Sequence, residues 1–130
     1  MQKYSTDNIK IKILRKDAII PTLKHGSRVI SFYIDKDQIV KPNARSTVSL
    51  GFVMSFNSEH ILKIDNDPII SQRNGIFIVS ELIESTTENE FTITIENSCN
   101  SRIMIEKGKK IAEGILIPSP FTQIQVVRGL

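Results

Sequence analysis

The side chains in this sequence that could do chemistry are mostly carboxylates. Asp35, Asp37, Asp65, Asp67, Glu81, Glu84, Glu88 and Glu90 fall in or beside segments rich in turn formers. Each offers the hard oxygen donors that suit Mg²⁺, an ion that proteins commonly hold through one or two carboxylates. A structural reading competes with this one, because an Asp in a turn satisfies backbone N–H groups without any ligand. Lys107, Lys109 and Lys110, with Arg102 nearby, form a basic cluster whose EKGKK context is that of a tight solvated turn able to meet an anion. His25 and His60 are far apart in the chain and would need two more donors to build a tetrahedral metal site. Cys99, the single cysteine, sits in NSCNS with no histidine near it in sequence, which reads as an ordinary thiol. The chain has no GxxxxGK[ST], GxSxG, HExxH or paired CxxC pattern, so phosphate-loop, serine-hydrolase and zinc chemistry lack their local supports.

The elements that must position these groups are strands. The chain has 130 residues, 40% hydrophobic and 24% charged, which describes one folded domain rather than a two-domain enzyme or a disordered chain. The 23 Ile, 7 Val and 8 Thr against 3 Ala and 7 Leu favour extended backbone and make helices scarce. A net charge of +3 is too small and scattered to mark a nucleic-acid surface, and no aromatic ladder accompanies it. The single cysteine excludes an internal disulfide. The polar start MQKYSTDNIK lacks the apolar region of a signal peptide, and no apolar run approaches the roughly 18 residues of a membrane span. An intracellular protein, cytoplasmic or nuclear, is expected. The abundance of Ile, Lys and Asn, 42 residues in all, fits an A/T-rich coding genome such as that of a large DNA virus, in which case a virion location is open.

Along the chain, NIKIKIL (8–14) alternates with Ile9, Ile11 and Ile13 on one face. Val29 to Ile34 reads as a strand, followed by a turn through DKDQIVKP. Residues 46–56 repeat apolar positions at period two through Val48, Leu50, Phe52, Met54 and Phe56, with Gly51 marking a bulge or a close backbone approach. HILKI, DPIIS and GIFIVSELI are short apolar runs separated by Asp65-Asn66-Asp67 and Arg73-Asn74-Gly75, and 84–90 is a polar loop. FTITIEN (91–97), SRIMIEKGKK and IAEGILIP complete the set, with Pro118 closing the last core strand. Many short strands with turns between them predict an all-β sandwich, barrel or jelly roll. The domain is expected to span 1–118, with 119–130 a strand-like arm that pairs at home or on a neighbouring subunit.

The order of these segments resembles the trimeric dUTP pyrophosphatases over roughly residues 9–118. DAIIP followed by GSRVISFY looks like the family's first motif, built on GSAGYDLY. IVKPNARSTVSLGFVMSF keeps that family's Pro and Gly at Pro42 and Gly51. NGIFIV resembles the strand after the second motif, FTITIEN the strand ending in Asn, and EKGKKIAEGILIP the "kGdRIAQLi" turn and strand. The resemblance implies a distorted jelly roll, a homotrimer with sites at subunit interfaces, and Mg²⁺-dependent hydrolysis of dUTP to dUMP and pyrophosphate.

At the reacting positions the resemblance breaks. Ser31 stands where the family has its first-motif Asp, and Asp67 falls at the Arg of the RSG triplet that cradles phosphate. Glu84 replaces the water-activating Asp, and Thr87 replaces the Tyr that packs on deoxyribose. Glu113 replaces a Gln in the fourth motif, and VVRGL offers no Gly-rich carboxy-terminal motif. The leading expectation is therefore a catalytically inactive dUTPase-like protein, a trimeric structural or interaction module with a viral structural or accessory role, needing no cofactor and contacting a protein partner. The alternative is an active or nucleotide-binding member of the dUTPase and dCTP deaminase superfamily, with Glu84 as base, Lys109 or Lys110 assisting, and Mg²⁺ as cofactor. A regulatory module that binds a nucleotide without hydrolysing it is a third reading.

Overall fold

The computed structural model describes residues 8–23, 26–67 and 75–129. His25, most of the DPIIS run and the Arg73-Asn74 step lie outside the described residues. Among the described residues the chain is all β, with no helix. Its strands are β1 (Lys10–Ile13), β2 (Thr22–Leu23), β3 (Ile30–Tyr33), β4 (Gln38–Val40), β5 (Arg45–Ser49), β6 (Phe52–Ser55), β7 (His60–Asp65), β8 (Ile76–Ile78), β9 (Glu81–Ile83), β10 (Thr92–Asn97), β11 (Ile103–Ile105) and β12 (Lys110–Pro118). They form sheets in the orders β1-β6, β5-β10-β8, β11-β4 and β2-β3-β12-β7-β9, with antiparallel pairing throughout. This is the expected jelly roll, open rather than closed into a barrel.

Period-two alternation decides which side chains fill it. Ile30 and Phe32 of β3, Leu62 and Ile64 of β7, and Ile93 and Ile95 of β10 all point inward and are buried. Three rings tie the sheets together: Phe91 stacks on Phe32 at 4.9 Å and on Phe52 at 5.3 Å between centroids. Ile9 and Ile11 pack against this core, whereas Ile13, expected on the same buried face, is 45% exposed at the end of β1.

Two runs that read as single strands are divided between sheets. The 46–56 segment breaks at Gly51, whose φ of 84° turns the chain from β5 into β6. A Cβ at Gly51 would lie 2.9 Å from the Ala18 Cβ, so the bend also needs the missing side chain. GIFIVSELI likewise divides into β8 and β9, because Ile76–Ile78 pairs with β10 while Glu81–Ile83 pairs with β7. Residues 119–129, expected to be strand-like, form no strand and lie fully exposed. A backbone bond from the Ser119 N–H to the Glu59 carbonyl, 2.7 Å, ties the start of this segment to the body.

Asn97 closes β10 and is completely buried. Its amide donates to the carbonyls of Val40, Lys41 and Ser101 at 3.1, 3.2 and 2.9 Å, and its Oδ1 accepts from the Cys99 N–H at 2.9 Å. One side chain thus satisfies backbone groups from the end of β4 and from the loop before β11. Asn97→Ala removes all four bonds from a buried position, and is expected to cost about 3 kcal/mol. In a thermal melt that loss reads as a fall of roughly 10 °C in Tm.

Candidate functional site

The five-stranded sheet carries a polar row on its outward face. Thr22 of β2 lies opposite Ser31 of β3, Ser31 opposite Glu113 of β12, and Glu113 opposite Asp65 of β7. Facing side chains in such a row approach to about 5 Å. Glu113 and Asp65 are therefore like charges set across from each other, an arrangement that needs compensation.

Lys110 supplies part of it. In an uninterrupted strand, residues three apart point to opposite faces. The pairing of β12 with β3 shifts register between Lys110 and Ala112, a bulge that buries both Ile111 and Ala112 and returns Lys110 to the face of Glu113. The Lys110 ammonium donates to Glu113 Oε1 at 2.7 Å and meets Asp67 Oδ2 at 3.0 Å. The Lys110 side chain is 29% exposed, and the carboxylates of Asp67 and Glu113 are 13% and 31% exposed. Burial alone would lower the Lys110 pKa, but hydrogen bonds from Glu113 and Asp67 outweigh it and raise the pKa above its ordinary value.

The turn Asp65-Asn66-Asp67 is held residue by residue. Asp65 accepts from the Asn66 N–H at 2.8 Å and from the Ser80 hydroxyl at 2.9 Å, and these bonds, the backbone one foremost, hold its carboxyl below the usual range. The Asn66 side chain brackets Ile78, accepting from its N–H at 2.6 Å and donating to its carbonyl at 2.9 Å. Asp67 faces Lys110.

The structure thus brings Ser31, Asp67 and Glu113 to one end of the sheet. Glu84 and Thr87 lie elsewhere, both exposed in the segment after β9. Ile83 pairs with Leu62, so Glu84 follows at the level of Ile61, four strand positions or about 13 Å from Asp65. There it borders a cavity of about 430 Å³ floored by Met54, Phe56 and Phe91, and a second of about 330 Å³ that reaches His60 and Phe121. The expected partnership of Glu84 with Lys109 or Lys110 is not formed within one chain, because β7 separates them by nearly its full length. His60 opens β7 and is half-buried, rather than a turn residue.

Sequence reasoning missed Arg15. Its guanidinium donates to Glu90 through Nη1, and through Nη2 to Asp35 at 2.9 Å and the Ser49 carbonyl at 3.2 Å. Asp35, read as a turn residue, is instead 3% exposed, and its Oδ1 has no hydrogen-bond partner. The bond to Asp35 is the main reason the Arg15 pKa is raised. A buried carboxylate among apolar neighbours gives no local sequence signal. Asp37 does behave as a turn acid, its Oδ1 accepting from the Lys107 N–H at 2.8 Å.

Asp67 and Glu113 are committed to Lys110, Asp65 to Ser80 and its own turn, and among the described residues no group of three or more His, Cys, Asp or Glu converges on one point.

Linkage follows from the two shifted groups at this end of the sheet. A raised Lys110 pKa stabilises the fold below the unfolded value of about 10.5, and this is lost as pH rises through the higher folded value. A lowered Asp65 pKa stabilises above about 3.8, and this is lost as pH falls through the lower folded value. Lys110→Met is expected to lower Tm at pH 8 and to approach wild type only as pH rises above 10.5, whereas Asp65→Asn should approach wild type only as pH falls below 3.8. Melts across the pH range read both.

No protein-family model matches the chain. It is 23% identical over 125 residues to a deoxyuridine 5'-triphosphate nucleotidohydrolase of Clostridium tetani, covering 94% of this chain and 86% of the relative. A second protein of that name, from Hydrogenobaculum, is 23% identical over 112 residues, 83% of this chain and 78% of the relative. Among solved structures, a mutant dUTPase of Staphylococcus bacteriophage 80alpha with dUpNHpp superposes with a TM-score of 0.86 at 15% identity, covering 96% of this chain and 99% of that one. The dUTPase of S. aureus phage phi11, in a mutant described as revealing the coordination of a structural Mg(II) ion, superposes with a TM-score of 0.84 at 12% identity, covering 95% and 98%. The chain thus has the jelly roll of the dUTPases along nearly its whole length, and its sequence is similar to the nucleotidohydrolases besides.

Proposed function

We propose that this chain is a catalytically inactive dUTPase-like protein that works as a homotrimeric interaction module. The observation that carries this reading is the Lys110–Asp67–Glu113 cluster. Where the resemblance calls for groups that receive a triphosphate, two carboxylates stand against one ammonium, with Asp65 directly across the strand. Like charges 4 Å apart in a partly buried site repel by about 4 kcal/mol, so a polyanion is poorly received there. Ser31 cannot act as a carboxylate, and Thr87 offers no ring to stack on a sugar.

The separation of Glu84 from Ser31, Asp67 and Glu113 supports oligomerisation. If the two groups once formed a single site, they met across a subunit boundary, as the family's trimer implies. The outward face also supports a partner. Leu82 is 64% exposed, and Ile115 and Ile117 add apolar surface on the same sheet face. Beyond Pro118, Phe121, Ile124, Val126 and Val127 are all at least 73% exposed, apolar side chains suited to an arm laid on another copy. Phage dUTPases of this fold are described as controlling the transfer of virulence genes, which supports a regulatory or accessory role in a viral setting, inside the host cell or in the virion.

A second reading, hydrolysis of dUTP with Glu84 as base, is favoured by the curated relatives, which carry that activity in their names along 94% of this chain. Calorimetric titration with dUTP and Mg²⁺, with pyrophosphate release followed in the same samples, separates the two. Neither binding nor turnover above background is expected. Turnover that disappears in Glu84→Gln would establish the second reading instead. Sedimentation is expected to give three times the chain mass for the full chain, and a smaller species after truncation at Pro118; a truncated trimer of unchanged stability would remove the arm from the account.

A further inference from the structure

We infer that Lys110 is a latent polyphosphate-binding cation, kept closed by Asp67 and Glu113, so that two internal carboxylates rather than the loss of a cation exclude anions from this end of the sheet. This rests on the inactive reading above and gives it a residue-level cause.

Three observations meet here. The β12 bulge turns Lys110 onto the outward face, beside the hydroxyl-bearing row of Ser31 and Thr22. A bulge placed next to a charged side chain re-aims it, and a strand without the bulge would direct Lys110 to the opposite face. Both of the bonds that Lys110 makes, 2.7 Å to Glu113 and 3.0 Å to Asp67, are to carboxylate oxygens. These are the same type of acceptor that a phosphate presents, in the same charge-assisted geometry. Asp67 itself is held in place by neighbouring residues, since Asp65 and Asn66 anchor the turn to Ser80 and Ile78. The two carboxylates thus stand where phosphate oxygens would, and the anchored turn presents that of Asp67 at little cost in freedom.

An ordinary structural ion pair would predict that removing the carboxylates only destabilises the protein. A closed anion site predicts a gain of binding instead. The probe is inorganic tripolyphosphate, titrated calorimetrically at low ionic strength into the full chain and its variants. Wild type is expected to bind too weakly to measure. Asp67→Asn combined with Glu113→Gln should bind at least tenfold more tightly than wild type, with a dependence on salt, and adding Lys110→Met should abolish the gain. Glu113→Gln alone, which keeps an amide oxygen for Lys110 and removes the like-charge facing with Asp65, should stay folded and show a smaller gain, which keeps the test open if the double variant folds poorly.

A folded Glu113→Gln or double variant no tighter than wild type would overturn the inference, as would a gain that survives Lys110→Met. In both cases the reading of the wild type as inactive would stand. That reading falls separately, if wild type itself turns over dUTP.

Discussion

The position of β12 between β3 and β7 is the constraint on which the rest depends. Antiparallel pairing on both sides fixes which residues of three strands share a face, and a one-residue slip would exchange the core set for the outward set. Gly114 tightens the constraint: a Cβ there would meet Phe32 at 2.9 Å and Ile64 at 3.1 Å, so the two flanking strands close down on bare backbone. With that register set, Ile30, Phe32, Leu62 and Ile64 enclose the core, while Ser31, Glu113 and Asp65 line up outside.

The bulge at Ile111 gives the same strand two roles. Inside, it lets consecutive residues, Ile111 and Ala112, both be buried. Outside, it brings Lys110 back to the polar row, where the charge of the ammonium offsets the repulsion between Glu113 and its acidic neighbours. The electrostatics of the outward face are thus a consequence of packing on the inward one. The Arg15–Asp35–Glu90 cluster ties a different region, joining the segment after β1 to the end of the 84–90 loop through a carboxylate buried against Gly51.

A scaffold that keeps its core and changes its outward row can keep its fold while losing its chemistry, since one face of each strand answers to packing and the other to ligand. Here the inward residues are apolar, mostly Ile, Val, Leu and Phe. The outward ones form an ion-paired, net acidic set at one end of the sheet and an exposed loop at the other, with apolar surface between them.

Much of this was legible from residue types. Alternation in NIKIKIL, FTITIEN and the 46–56 run revealed strands, because period two is a local property of the pleated backbone. Gly51, Asp65-Asn66-Asp67 and EKGKK marked turns, because φ and side-chain hydrogen bonding are local too. Ser31, Asp67, Glu84, Thr87 and Glu113 could be singled out only by resemblance, as their own spacing carries no motif. Tertiary structure alone decided that Asp67 and Glu113 share one lysine, that Glu84 lies about four strand positions along the sheet from Asp65, roughly 13 Å, and that Asp35 is a buried partner of Arg15. Those facts depend on strands distant in sequence lying side by side and on a single bulge that reverses facing, and neither follows from the order of residues along one strand. The 119–129 segment shows the same division: its composition favours a strand, but a strand exists only where another lends it hydrogen bonds, and none of the described strands pairs with it.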